Sequence, residues 1–410
     1  MAGRRLRVFD VVVAGGGMVG ASLAAALSSL PLKVLVVEPF PPRGAGQPSY
    51  DDRATAVSEG SRRILEGIGC WDGLAGRAAP IREVHVSERG RFGVTRLKAN
   101  EHGLESFGHV VDNKALGTAL WARLEGAGSV ETWTPARVES VSQDDEAVYA
   151  VVAREGRKPV DVRARLLVAA DGARSPVRDM AGIAHEITDY GQTALIANVT
   201  PSEDHGGTAY ERFTPDGPLA VLPLTRGRAT VVWTVPPSEA GRIGELPDAR
   251  FLEELQAAFG HRLGRFVRVG GRAAYPLTLV QASRWHEGRV LLAGNSAHGI
   301  HPVAGQGFNL GLRDVAALAE ILAAEPKGDP GDEGRLAEYA DWREADRAAT
   351  VRYTDGLVRI FTHPLAPVRL ARGIGLVGLD LLPPARAAVV RRGMGLAGRL
   401  PRLALGQPLA

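Results

Sequence analysis

The chain has a single cysteine, Cys70, in 410 residues. That excludes an internal disulfide and any zinc or iron–sulfur site built on cysteines, and it fits a reducing compartment. None of the ten histidines forms an HExxH pair, so no metal is expected. Long apolar runs are missing too. None reaches the roughly 18 uninterrupted residues that a membrane-spanning helix needs. Arg4, Arg5 and Arg7 imitate the start of a signal peptide. The apolar run after them contains Asp10, closes on three glycines and has no small-residue cleavage site, so it reads as a buried strand. The net charge is only +3, and no nucleic-acid partner is expected from it. With 45% apolar and 23% charged residues, the composition is that of a soluble globular protein. The length points to two domains.

What the sequence does contain is glycine-rich turns at the ends of apolar strands. Val8 to Ala14 predicts a strand buried on both faces. Gly15-Gly16-Gly17-Met18-Val19-Gly20 follows and fits G-x-G-x-x-G. Glycines at that spacing allow a tight turn, backbone approach to a pyrophosphate, and close packing of helix on strand. Ala21 to Leu30 predicts a helix stopped by Pro31, and Lys33 to Val37 a second strand ending at Glu38. An acid there can accept hydrogen bonds from the ribose hydroxyls of an adenosine and repels a 2′-phosphate. The tightly bound nucleotide is therefore not NADP, and the motif alone leaves FAD and NAD open.

Two further turns have the same form. Ala164 to Ala170 predicts a strand ending in Asp171-Gly172, a place where parallel sheets bind ligands. Val290 to Ala293 predicts another, broken at Gly294-Asn295. A loop with Gly299, Gly305 and Gly307 follows, then a helix with Leu310, Leu312, Val315, Leu318 and Leu322 at helical spacing. Such a turn can face its N–H groups toward an anion or an electron-rich ring. Arg53, within Asp51–Ser58, is a candidate for reaching a phosphate or a flavin edge. His298 and His301 sit beside the glycine loop, where a structural role is the favoured reading.

Residues 81–97 predict a hairpin outside the parallel core. Residues 186–282 predict an antiparallel sheet of short strands with one helix, Arg250 to Leu263. Arg335 to Phe361 predicts a helix interrupted by Gly356. The tail from Pro364 carries seven arginines against one acid, Asp380. That suits a membrane surface or acidic partner, and a solvated helical cap fits equally well. The resulting division is 1–80, 106–185 and 284–362 for a nucleotide domain in three parts. Residues 81–105 and 186–283 form a substrate domain, and 363–410 a basic helical tail.

Together, Gly15–Gly20 with Glu38, Asp171-Gly172, and Gly294-Asn295 with its loop resemble the FAD-dependent aromatic hydroxylases of the p-hydroxybenzoate hydroxylase fold. Within these, Asp51–Ser58 and His301–Gly311 are similar to the ubiquinone-biosynthesis hydroxylases of the UbiH/UbiF/VisC type. Most of the superfamily has Gly-Asp where this chain has Gly294-Asn295. That departure, with Gly217–Leu224, Ala274–Leu277 and Leu379–Pro383, resembles the UbiH branch, the 2-polyprenyl-6-methoxyphenol hydroxylases.

The resemblance implies an α/β fold: a Rossmann-like FAD-binding domain with a parallel sheet, an antiparallel-sheet substrate domain and a C-terminal helical tail. It implies FAD, with NAD(P)H as a transient co-substrate. O₂ would add at flavin C4a, and the hydroperoxide would hydroxylate a polyprenyl phenol. Gly15, Gly17 and Gly20 would hold the pyrophosphate and Glu38 the adenosine ribose. Arg53 and Asn113 would contact the flavin side. Asp171 would lie by the pyrophosphate and help NAD(P)H to dock. Gly294 and Asn295 would meet the ribityl chain, and Pro302, Gly305, Gln306, Gly307 and Asn309 would lie along the isoalloxazine. Leu222, Pro223, Tyr275 and Pro276 are candidates for the substrate wall, and no catalytic base is assigned. So apolar a substrate implies a cytoplasmic protein attached to the inner face of the membrane, among other ubiquinone-biosynthesis proteins. Three alternatives stay open: a related hydroxylase of a soluble aromatic, an NAD-dependent dehydrogenase, and a non-catalytic flavoprotein subunit.

Overall fold

The computed structural model describes residues 6–42, 49, 53–91, 93–300, 305–362, 375 and 382–409. Val11–Ala14 and Val34–Val37 are buried at every residue. Strands of that kind need cover on both faces, which is the parallel arrangement. They lie in one sheet in the order Val290–Leu292, Leu166–Ala169, Val11–Ala14, Val34–Val37, Val130–Trp133, all parallel. His286–Glu287 adds an antiparallel edge. The helix Met18–Leu27 starts as soon as the first turn ends, because extended Gly17 caps it, and it stops ahead of Pro31.

The predicted strand Val8 to Ala14 is two strands in two sheets. Leu6–Val8 pairs with Val160–Ala164 in a four-stranded sheet completed by Val148–Arg154 and Ala136–Gln143. The chain steps from one sheet to the other at Asp10, and its neighbour steps at Arg165. The two side chains pair across the step at 3.4 Å. A charge inside an apolar run cannot be buried unpaired, so the strand breaks where the charge sits.

The third sheet has eight strands. His185–Pro201 and Phe266–Ala282 are 17 residues each and pair antiparallel through several bulges. Both run well beyond the short strands predicted for residues 186–282. The hairpin Glu83–Glu88 and Val94–Lys98 completes the far edge, with Glu83–Glu88 parallel to Thr208–Thr214. One face packs Leu195, Val221, Val231 and Trp233 against Phe251 and Leu255. Two helices lie there, Pro237–Gly244 and Asp248–Phe259, where one was predicted. Pro237 at its first position, behind Pro236 at the N-cap, starts the unpredicted helix. Glu333–Thr362 runs unbroken through Gly356. One glycine costs about 1 kcal/mol in a helix, and buried Leu336, Tyr339 and Trp342 anchor this one.

The described part of the tail is a cap. Pro383–Gly393 packs Val390 and Met394 on Leu97, Ala99 and Phe107. Arg386 pairs with Glu101 at 2.6 Å, and Arg399 pairs with Glu338 at 2.9 Å. Arg369, Arg372 and Asp380 lie outside the described residues. Among the described residues, no helix is long and apolar enough to cross a membrane.

Candidate active site

The carboxyl ends of four parallel strands open onto one cleft of about 880 Å³. At its inner end are Gly15, Gly17, Met18 and Val19. Gly15 has φ +101, and a Cβ there would lie 2.5 Å from the Ala170 carbonyl oxygen. Its N–H donates to Val37 at 2.8 Å. The helix that follows has no side-chain cap, so the positive end of its dipole is left for a ligand. Gly20 does not line the cleft. Its Cβ position is 1.9 Å from the Gly15 carbonyl oxygen, so it lets the helix close on the turn.

Glu38 lines the cleft at the end of the next strand. Its carboxylate accepts from the backbone N–H of Gly16 at 2.5 Å and of Phe40 at 2.9 Å. Two backbone bonds fix its direction. Asp171 also lines the cleft. One oxygen accepts from the Val177 N–H at 3.1 Å, the other is buried with no partner, and burial raises its carboxyl above the ordinary range. An uncapped helix end, a cradle that admits only glycine and an oriented acid fit an adenine dinucleotide.

Asn295 is an exposed cleft residue in the turn Gly294–Ser296. Gly294, at φ +63, packs on Val19, as does Gly311 of the next helix. Gly305, Gln306, Gly307 and Asn309 line the cleft where the helix Gln306–Ala324 begins. His301 and Pro302 lie outside the described residues. Asn309 is 1% exposed. Its oxygen accepts from the Ser58 N–H at 2.8 Å, and its amide donates to Ala56 at 2.9 Å and Gly305 at 2.7 Å. The side chain thus fastens the loop to the strand Ala54–Ser58 rather than pointing at a ligand. Asn309→Ala leaves three backbone groups without partners, at roughly 1–3 kcal/mol each when buried. The variant is expected to release its nucleotide faster and to melt several degrees lower, read by flavin fluorescence during a thermal ramp.

Arg53 and Asn113 both line the cleft. The Arg53 guanidinium stacks 4.5 Å from the Tyr275 ring centre. Asn113 accepts from Thr55 Oγ1 at 2.7 Å, and its N–H donates to the Arg53 carbonyl at 2.9 Å. Tyr275, Pro276 and Leu222 line the outer end of the cleft. Pro223 does not. Alternate residues of a strand face opposite ways, so Pro223 turns away with Val221 while Leu222 and Ala220 face in.

Several residues escaped the sequence reading. Asp314 is fully buried. It accepts from the Gly294 N–H at 2.9 Å, from His298 Nε2 at 2.7 Å and from Arg343 Nε at 2.6 Å. Arg343 reaches on to Asp346, which Arg313 also holds. His298 is therefore structural, bound to a carboxylate rather than to backbone. An acid on the apolar stripe of the helix, four residues from Leu310 and from Leu318, was the available signal. Glu211 and Tyr353, at the outer end, were also missed. Among the described residues no cluster of three His, Cys, Asp or Glu side chains could hold a metal ion.

The family described as FAD binding domain matches residues 8–354. The chain is 39% identical to the ubiquinone hydroxylase UbiL of Rhodospirillum rubrum over 98% of this chain and 94% of that one. It is 34% identical to the 3-demethoxyubiquinol 3-hydroxylase of Escherichia coli, over 93% of this chain and 96% of that one. The p-nitrophenol 4-monooxygenase PnpA of Pseudomonas putida shares the fold, with a TM-score of 0.80 at 22% identity, covering 96% of this chain and 99% of that one.

Proposed function

The chain belongs to the FAD-binding-domain family of FAD-dependent aromatic monooxygenases, and on that premise we propose that it hydroxylates the ring of a polyprenylated phenol in ubiquinone biosynthesis. Bound FAD supplies the redox chemistry, taking electrons from NAD(P)H and activating O₂. The protein's share is placement and field. The N-terminus of Met18–Leu27 receives the pyrophosphate and Glu38 the adenosine ribose. The N-terminus of Gln306–Ala324 would favour negative charge on a flavin ring held there. Asp171 guides the transient docking of NAD(P)H.

One observation carries the reading. The nucleotide crevice runs without partition into a floor of Val84, Val86, Ala194, Ile196, Ala220 and Leu222. An apolar phenol there meets the ring in a site that excludes water. The partner substrate being so apolar, the enzyme works at the inner face of the cytoplasmic membrane, and exposed Arg391 and Arg392 on the cap supply charge for an anionic surface.

The purified holoenzyme, given a long-chain prenyl phenol in anionic vesicles, is expected to consume NAD(P)H and O₂ in step with hydroxylated product. Turnover of water-soluble phenols alone would reassign it to the soluble aromatics. Oxidation without product from any phenol would sink the reading. For the ring position, loss of the gene is expected to accumulate a prenyl methoxyphenol lacking one hydroxyl, as for a UbiH-type enzyme.

A further inference from the structure

Among the described residues of the floor at the substrate end, Thr95 beside Val86 is polar and uncharged, and Glu211 alone is a carboxylate. Glu211 lies on the strand Thr208–Thr214 with its side chain lining the cleft, between Ala209 and Phe213, which line it too. Its partners across the sheet are Val86 and Ala220. Oε1 is buried and has no hydrogen-bond partner among the described residues. A buried acid without a partner is a liability to the fold. Its sheet neighbours Val86 and Ala220 offer it no polar side chain.

We propose that Glu211 receives the hydroxyl of the phenol substrate and takes its proton as the ring is hydroxylated. The inference rests on the phenol reading above.

The titratable and charged groups around it lie on several elements and are engaged elsewhere. Tyr353 of the helix Glu333–Thr362 lines the cleft. Burial raises its hydroxyl, and the Glu211 charge raises it further, so Tyr353 is a neighbour that stays protonated. Arg392 of the cap acts on Tyr353. Arg53, across the cleft, is stacked on Tyr275. His85 packs its ring against Tyr210, and Arg212 donates to the Ala258 carbonyl. Burial alone sets the Glu211 carboxyl, at about 7.

That value suits the task. An ordinary carboxylate, at about 4.3, is a poor match for a phenol near 10, and a base serves best when its affinity for protons lies near the working pH. As the new C–O bond forms to one atom of O₂, the O–O bond breaks and the other atom leaves as water with the two electrons that NAD(P)H supplies through bound FAD. The ring draws electrons from the phenol oxygen, and its proton becomes acidic. The phenol O–H bond breaks, its electron pair becomes the second bond of a carbonyl, and the proton ends on Oε1. When the attacked carbon releases its hydrogen as a proton to solvent, aromaticity returns and Glu211 gives its proton back to the oxygen. No electron is gained or lost by the carboxyl.

The test uses the FAD-loaded full chain and a short-chain prenyl phenol carrying fluorine on the ring. In the wild type, the resonance of the bound phenol is expected to move toward the phenolate position as pH rises through about 7. Glu211→Gln keeps the shape and removes a buried charge. It is expected to retain FAD, to melt no lower, to lose that titration, and to lower kcat by on the order of 100-fold with little change in phenol affinity. The methyl ether of the probe is expected to bind both proteins alike. A Glu211→Gln enzyme with the wild-type rate and the wild-type titration overturns the inference and leaves the enzyme a phenol hydroxylase. A wild type that neither binds nor hydroxylates any phenol overturns the functional reading, and this inference with it.

Discussion

A Gly20→Ala enzyme is expected to purify colourless, with its affinity for FAD lowered by at least about 100-fold. The added Cβ would sit 1.9 Å from the Gly15 carbonyl oxygen and 3.2 Å from Val13 Cγ1. The first contact is backbone, so no side chain can swing away. Gly15 cannot retreat either. Its N–H is tied to Val37 at 2.8 Å, and its own Cα faces the Ala170 carbonyl. Overpacking costs about 1–3 kcal/mol and sometimes more, and a contact between two stretches of backbone belongs at the upper end. About 2.7 kcal/mol is a factor of 100 in affinity. The helix must lift from the strand, and the turn that faces the pyrophosphate opens. Gly17→Ala is the comparison, since its Cβ would meet the Ser49 hydroxyl at 2.8 Å, and a serine can rotate. Equilibrium dialysis against FAD measures both, with circular dichroism to show that the fold persists. A yellow Gly20→Ala protein of wild-type affinity contradicts the argument.

The second large effect is on stability. Asp314→Asn is expected to lower the melting temperature by on the order of 10 °C, because breaking a buried charge network costs about 3–5 kcal/mol and each kcal/mol moves Tm by roughly 2–4 °C in a larger domain. Arg343 is wholly buried. Asparagine keeps one acceptor oxygen and presents an NH₂ in place of the other, so it cannot serve Arg343 on one side and Gly294 with His298 on the other. Asp346, itself shared with Arg313, is left as the charged partner of Arg343. The network also fixes the acid limit of the fold. Burial pushes the Asp346 carboxyl up, but Arg313 and Arg343 outweigh it and hold the group at about 2, against an ordinary 3.8. A carboxyl lowered by folding stabilises above its unfolded pKa and loses that contribution as pH falls through the folded one. The wild type is thus expected to lose stability as pH falls from about 4 to about 2. Asp314→Asn is expected to begin lower and fall less steeply, because the partners of Asp346 are no longer held in place. Calorimetry from pH 7 to pH 2 reads both; parallel curves for the two proteins would refute the network's role.

The parts of the site legible in the sequence are those that one short stretch encodes. Gly15 to Gly20, Glu38, Asp171 and Gly294-Asn295 each sit where a parallel strand ends, so local spacing gives their place. The network was not legible, because Asp314, Arg343 and Asp346 lie on two helices whose partnership is set by packing. Glu211 was hidden for a different reason. An acid in an alternating strand reads as a solvent-facing residue, and only the cap of Pro383–Gly393 and the helix carrying Tyr353 turn that face inward. Pro223 failed by parity: one position along a strand reverses the side. The break at Asp10 was visible as a charge, but the sheet it leads to is formed with residues beyond 148, which no local pattern announces.

The order of the parallel sheet has a consequence for the chain as it is made. Its strand Leu166–Ala169 is flanked by Val11–Ala14 on one side and Val290–Leu292 on the other. The outer neighbour is synthesised only after the whole eight-stranded sheet except its short edge at His298–Gly299. The nascent protein therefore exposes one apolar edge of its nucleotide sheet through more than a hundred residues of translation. Non-local pairing of this kind folds slowly, and unpaired apolar strands are prone to aggregate. Cofactor capture must come late in biogenesis, when the last strand docks and the glycine loop behind it comes into register.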